Sequence, residues 1–526
     1  MKRLWLMVLA GLLVFSQAAT AQEKLRTAAE LVPLLKKPDK HLRLKIMRDL
    51  GELGAAGKDA IATLAPFLHD ADIDLKLQAG KTLAQIGPAA VPVFIKDLQR
   101  PEHTLRVRAA KNLALMGPEA LPAVPALAAS LKHPHKDVRA WSAYALGEIG
   151  AGAWKAAPAL IQALLDREQE VRVQVRDAIV EIGKDTLPAL QGGLKAGHAS
   201  IRFQSAELIA QFGPEAAEAV PDLIATLKDR EGAVRAAAAL ALAHIGLKAQ
   251  AAVAPLMEAA LDADERVRAA AVLALGEMGS EANRAIALLI TGLKDEAREV
   301  RKRAAFSLIK IGPATVNALI QAATQDHREQ RIHAIFALGS IGTSAADAVP
   351  VILEALKSND LEVRSTSVLA LGKIGPPAKA ALEPLQALLN EPRSIFRLNV
   401  YLALAQIQPD NDQAKTRLAD EVKAVFDELF PSNYKDHLTP AAVARIRQAE
   451  AFVNFFVYRN SFRFGDGISK ESKNALKLLG PEAIPALVRA ANFMLRIGVE
   501  GKIHIPTPML DPKRGIVIGD HTIFFV

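Results

Sequence analysis

Cysteine is absent from all 526 residues. That excludes a disulfide framework, a thiolate metal site, a thiol nucleophile and a lipid-modified cysteine. Aromatic residues are scarce, at 5% against a hydrophobic total of 51%. The apolar content is therefore small and aliphatic, which favours closely stacked helices over a β-sandwich. Catalytic signatures are missing as well. No His-Glu-x-x-His, phosphate loop, dinucleotide fingerprint or Gly-x-Ser-x-Gly elbow occurs. At 23%, charged residues exclude a wholly disordered chain and a polytopic membrane protein.

The first residues read as an export signal. Lys2 and Arg3 precede an apolar run from Leu4 to Phe15, which is short for a bilayer span, and Ala19-Thr20-Ala21 supplies small residues for cleavage. Cutting after Ala21 lowers the formal charge from +8 to +6. That is mild for the chain's size and calls for no nucleic acid. No later stretch holds 18 uninterrupted apolar residues free of charge, so no stable membrane span is expected after cleavage. The expected destination is the periplasm or the extracellular medium.

A single period organises most of the remaining chain. Asp137-Val-Arg-Ala-Trp-Ser-Ala-Tyr-Ala-Leu-Gly-Glu-Ile-Gly150 and Arg266-Val-Arg-Ala-Ala-Ala-Val-Leu-Ala-Leu-Gly-Glu-Met-Gly279 are copies of one pattern. Alignment on the basic residue gives twelve copies, anchored at Arg43, Lys76, Arg106, Arg139, Arg172, Arg202, Arg235, Arg268, Arg301, Arg331, Arg364 and Arg397. Successive anchors lie 33 residues apart, or 30 after Lys76, Arg172 and Arg301. Offset seven from the anchor is always Leu or Ile, offset ten is always apolar, and offset three is Ala or Ser in nine of twelve. These offsets share one helical face, with the small residue admitting a close neighbour. Offset eleven is Gly in eleven copies, with Gln408 the exception, and reads as a left-handed helix cap. A second helix comes next, as in residues 120–132, so each unit is a helix pair. The 30-residue intervals lack one triplet just after the glycine, at the start of the second helix.

These residues resemble the HEAT-like repeats, in particular the short Val-Arg…Ala-Leu-Gly-x-Ile-Gly variety associated with phycobilin lyases. The resemblance covers roughly residues 25–408. It implies an all-α, right-handed α-solenoid of about 12–13 helix pairs, and the C-terminal pattern adds a small α/β cap. It carries little about activity, because the motif consists of packing and capping residues. One HEAT-repeat enzyme class, the deoxyhypusine hydroxylases, holds iron through His-Glu pairs; here none of the 12 histidines precedes a glutamate. His133-Pro-His135 with Asp137 has chelating residue types but reads as an exposed loop. No cofactor, metal or small-molecule substrate is expected.

The anchoring arginines read as a stacking ladder. An acid stands two residues earlier in six copies: Asp74, Asp137, Glu170, Glu299, Glu329 and Glu362. It suits the helix dipole, and the arginine is expected to pair with it or with an acid on the adjacent repeat.

The period breaks after Ile407. Residues 409–468 read as a helical, aromatic-rich insertion, 469–491 as a degenerate thirteenth repeat, and 492–526 as a short β-strand terminal segment with a turn at Gly519-Asp520. Residues 410–526 hold twelve of the chain's 25 aromatics. This region reads either as the cover that a solenoid end needs or as a docking module with Phe452, Phe455 and Phe456 as anchors.

A partner-binding face is expected on the first helix of each pair, at offsets two, five and nine. Offset nine is polar in eleven of twelve copies, which fits exposure. The resemblance places this helix on the concave side. The first three units give Lys45, Arg48, Lys81, Arg108 and Lys111 there, and the fourth gives Trp141 and Tyr144. A basic strip ending in two large aromatics suits an acidic, extended protein segment. The expected function is an exported, non-catalytic scaffold for another protein. A bilin-lyase-like enzyme or accessory subunit of an envelope complex, and a binder of anionic cell-envelope polymer, stand as alternatives.

Overall fold

The computed structural model describes residues 27–421, apart from 415 and 419, and two short strands, Gly501–His504 and Thr522–Phe525. The signal segment, the aromatic-rich insertion from residue 422 onward, the degenerate repeat, the Gly519-Asp520 turn and Phe452, Phe455 and Phe456 lie outside the described residues. The chain divides into two compact units, residues 1–277 and 278–526.

Each arginine or lysine anchor sits in the first turns of a helix. The first unit holds eight such anchor helices: Lys40–Glu52, Ile73–Ile86, His103–Met116, Lys136–Ile149, Gln169–Ile182, Ala199–Gln211, Gly232–Ile245 and Glu265–Glu277. The second unit holds four: Arg298–Ile311, Arg328–Ile341, Leu361–Ile374 and Ser394–Ile407. The leucines and isoleucines at offset seven, from Leu50 to Leu404, are all buried. Small residues at offset three face the preceding return helix. A Cβ on Gly193 would lie 2.2 Å from Ser205 Oγ, and one on Gly292 would lie 3.1 Å from Ala304 Cβ. The six acids two residues before the anchor all lie in the first turn, where the helix dipole favours them.

The return limb differs from a plain second helix. It opens with a 3-10 turn and only then becomes α-helical. In the unit expected to return over residues 120–132, the turn is Gly117–Ala123 and the α-helix is Val124–Ser130. Pro125 stands in the first turn of that helix, where its missing N–H costs nothing. After the three short intervals the turn contracts to Pro88–Ala90, Lys184–Thr186 and Pro313–Thr315. The missing triplet is thus taken from the turn, and the packing helices keep their length.

All eleven glycines at offset eleven have positive φ. Gly87, Gly117, Gly150, Gly183, Gly246, Gly312, Gly342 and Gly375 are not in the left-handed helical well, however, because their ψ lies between −133° and −160°. Gly150 has φ 71° and ψ −146°, a region essentially reserved for glycine. A Cβ at Gly150 would meet nothing within 4 Å. Gly150→Ala should therefore cost about 1–3 kcal/mol through its dihedrals alone. Urea titration followed by circular dichroism checks this, and an unchanged midpoint would refute it.

Three 28-residue stretches, His103–Ser130, Gly232–Ala259 and Arg328–Ala355, are long and apolar enough to cross a membrane by length and composition. Each contains one of these positive-φ glycines, Gly117, Gly246 or Gly342, and doubles back there as an anchor helix and its return limb. The two strands pair antiparallel, with Gly501 opposite Phe525 and His504 opposite Thr522.

Candidate functional site

The arginine ladder fixes the helices that carry the site. Arg139 donates from Nη2 to Asp166 Oδ1 at 2.8 Å, and from Nη1 to the carbonyls of His133 and Pro134 at 2.9 and 2.8 Å. Arg202 repeats this with Asp229, Ala196 and Gly197, and Arg235 with Asp262, Asp229 and Arg230. The carboxylate partner stands six residues before the next anchor, so the ladder links consecutive units. Of the two expected pairings, the adjacent-repeat one is formed. Among the first-turn acids, Glu329 lies 3.4 Å from the anchor Arg301 of the preceding repeat, whereas three take cations that are not anchors, Asp74 with Lys40, Glu170 with Lys136 and Glu362 with Arg328. Each of these links is also one unit long, on the outer edge of the helix start.

Hydrogen bonds from Arg202 and Arg235 hold the carboxyls of Asp229 and Asp262 below their usual range, against the opposing pull of burial. The ladder therefore stays ionised and gives the helix face a fixed register. No three His, Asp, Glu or Cys gather to hold a metal ion among the described residues. His133 and His135 do a local job: His133 Nδ1 accepts from the His135 amide and His135 Nδ1 from the Asp137 amide. The His135 ring also stacks on His103, 4.0 Å between centroids.

On the anchor-helix face, Lys45, Arg48, Lys81 and Lys111 are exposed. Arg108 is not free in the same way. It is half-buried and donates to the Leu68 carbonyl at 2.9 Å. Burial pulls its pKa down, offset by the charge of Asp97. Asp97 is itself buried, 3.3 Å from His69 Nε2, and burial pushes its carboxyl up. Arg108 thus serves an internal polar site beneath the strip.

Lys111, Trp141 and Tyr144 form a connected cluster. Lys111 Nζ lies 4.4 Å from the Trp141 ring centroid. Trp141 and Tyr144 meet edge to face at 5.4 Å, an arrangement the ring quadrupoles favour. A hydrogen bond to Glu148, together with burial and that residue's charge, pushes the Tyr144 phenol up. Tyr144 remains 40% exposed, and Leu115, at offset nine of the preceding anchor helix, is 67% exposed. An exposed ammonium, two preset aromatic planes and an apolar side chain are the components of an interface anchor.

The second unit carries a counterpart that reading only the first four repeats misses. Phe306 and Phe336, both at offset five, meet edge to face at 5.8 Å. Lys373, at offset nine, lies 5.5 Å from the Phe336 centroid and 3.4 Å from Ser340 Oγ. Reading offset five down all twelve copies would have found these two phenylalanines, since such rings are rare within the repeats.

The sequence model of the HEAT repeats matches residues 91–179, 220–310 and 316–405. That is just over half of the chain, which belongs to the HEAT-repeat family. Among solved structures, an engineered protein is 24% identical, with a TM-score of 0.32, covering 66% of this chain and 98% of its own. The karyopherin Kap121p, bound to the extreme C-terminus of the phosphatase Cdc14p, is 14% identical with a TM-score of 0.49. That match covers 99% of this chain and 62% of Kap121p, so this chain spans about three fifths of the karyopherin. Importin beta is 14% identical with a TM-score of 0.44, covering 89% of this chain and 70% of its own. These likenesses concern the fold alone. No curated protein matches the chain.

Proposed function

We propose that this protein is an exported, non-catalytic scaffold that holds an acidic, extended segment of another protein on its anchor-helix face. The observation that carries the reading is the Lys111–Trp141–Tyr144 cluster, at the end of a strip formed by Lys45, Arg48 and Lys81. Lys45, Arg48, Lys81 and Lys111 are exposed on this face, whereas the residues at offsets three and seven are buried. The lysines would steer the partner, and the aromatic pair would bury its apolar side chains. The family resemblance supports a concave location for this face, where an extended segment would gain contacts from several repeats. Export rests on the residues from Lys2 to Ala21.

The test is in vivo crosslinking in the native host followed by quantitative recovery of the crosslinked partner. Trp141→Ala with Tyr144→Ala, and separately Lys45→Glu with Lys81→Glu and Lys111→Glu, should each reduce recovery about tenfold or more. Unchanged recovery with unaltered helicity would overturn the reading.

A further inference from the structure

The edge formed by the 3-10 turns is a surface distinct from the anchor-helix face. Where one unit loses its triplet, a three-residue turn stands between two longer ones and leaves a notch. Lys184–Thr186 lies in this way between the seven-residue turns Gly150–Ala156 and Gly213–Ala219. The anchor helices Gln169–Ile182 and Ala199–Gln211 also touch only sparsely. At offset eight the first of these helices has Val180 and the second Ala210, and the helix before them has Gly147. The resulting cavity has a volume of about 550 Å³. Trp154 forms one wall and Glu215 and Glu218 the other, with Lys184, Asp185 and Pro188 along the floor.

We propose that this notch binds an arginine side chain of a basic polypeptide segment. Trp154 is 50% exposed, although the repeats have almost no other use for tryptophan. Its ring already has one cation near it, Lys155 Nζ at 5.7 Å from the centroid. The carboxylates of Asp185, Glu215 and Glu218 are exposed, and none has an ion-pair partner among the described residues. A planar guanidinium stacks on an indole and pairs with carboxylates in a fork, which fits both walls at once.

The two other short turns show that the notch's shape alone does not supply this chemistry. At the position of Trp154 they have Lys58 and Asn283. In place of Glu215 and Glu218 they have Glu119 and Pro122, or Ser344 and Asp347. In place of Lys184 and Asp185 they have Pro88 and Ala89, or Pro313 and Ala314. The triplet is missing in three places, and an aromatic wall opposite paired carboxylates occurs in one. This site prefers positive charge, opposite in sign to the anchor-helix strip, and does not rest on the function proposed for that strip.

The experiment uses the full chain with Trp5→Phe and Trp141→Phe, which leaves Trp154 as the one tryptophan. Its fluorescence is titrated with the blocked tripeptide Gly-Arg-Gly, and with the same peptide carrying citrulline or lysine. The arginine peptide should give a saturable change, the citrulline peptide none, and the lysine peptide a weaker one. Glu215→Gln with Glu218→Gln should weaken arginine binding about tenfold, since each tenfold step corresponds to about 1.4 kcal/mol. Both glutamates are exposed, so the variant should keep its helicity. The proposal is overturned if the arginine peptide gives no saturable change, if citrulline or lysine matches it, or if the glutamine variant binds as well as the parent.

Discussion

Arg139→Ala should destabilise the first unit by about 3–5 kcal/mol at neutral pH, the cost of breaking a buried ion pair from one side. The Arg139 and Asp166 side chains are only 7% and 8% exposed. Removing the guanidinium strands the Asp166 carboxylate with a single remaining bond, from the Glu168 amide at 2.9 Å. It also removes the donor to the carbonyls of His133 and Pro134. The outer pair Lys136–Glu170, with side chains 50% and 62% exposed, is the contrast. Lys136→Ala should barely move the unfolding midpoint, because solvent screens such pairs.

The pH dependence sharpens the test. Burial pushes the Asp166 carboxyl up, but the Arg139 hydrogen bond, the Glu168 amide and the neighbouring charges outweigh it and hold it below the usual range. A depressed folded pKa gives stability that is present above the unfolded value, about 3.9, and lost as pH falls through the folded value. In Arg139→Ala, burial acts without that partner and the Asp166 pKa rises, so this carboxyl contributes less of the stability that is lost as pH falls toward 4. The gap between parent and variant urea midpoints should therefore narrow between pH 7 and pH 4. A gap that stays constant, or one no larger than that of Lys136→Ala, would refute this account.

The second large effect is expected at Gly339. In an exposed helix interior, glycine to alanine stabilises by about 1 kcal/mol. At Gly339 the new Cβ would lie 2.5 Å from Ala370 Cα and 2.7 Å from Ala370 Cβ. Neither atom can move without shifting helix Leu361–Ile374 as a whole. Gly339→Ala should therefore destabilise by about 2–3 kcal/mol, the cost of overpacking two helices. Gly192→Ala is the matched control. It also lies within a helix, Leu187–Leu194, and its Cβ would meet nothing within 4 Å. The two substitutions should move the urea midpoint in opposite directions, and a shared sign would refute the contact.

Gly339 shows how far the repeat pattern could be read. The motif Ala-Leu-Gly-x-Ile-Gly contains two glycines, and periodicity explains only the second, which ends the helix. The first looks like a weak spot in a helix. Its reason is Ala370, which lies 31 residues away and meets it only once two units are stacked. The same holds for Arg139, whose carboxylate partner is 27 residues further on. The sequence shows an acid two residues before many anchors, and proximity along the chain made that acid a natural partner. The folded ladder reaches the adjacent repeat instead. The Trp141–Tyr144 pair was legible as a candidate site because aromatics are rare in the stack. Arg108 was legible as part of the strip, yet its contact with the Leu68 carbonyl depends on the end of a return limb 40 residues earlier.

By itself the sequence determined the helix pairs among the described residues, the buried face at offsets three and seven, and where each anchor helix stops. These features follow from local geometry. A 3.6-residue period places those offsets on one side, and a glycine-only backbone conformation ends the helix whatever surrounds it. Only the tertiary structure decided which acid each arginine grips, which glycine is a contact and not a cap, and which missing triplet opens a notch with an indole across from carboxylates. Those outcomes depend on distances between residues about one unit apart in the chain, and such distances exist only after neighbouring helices have packed.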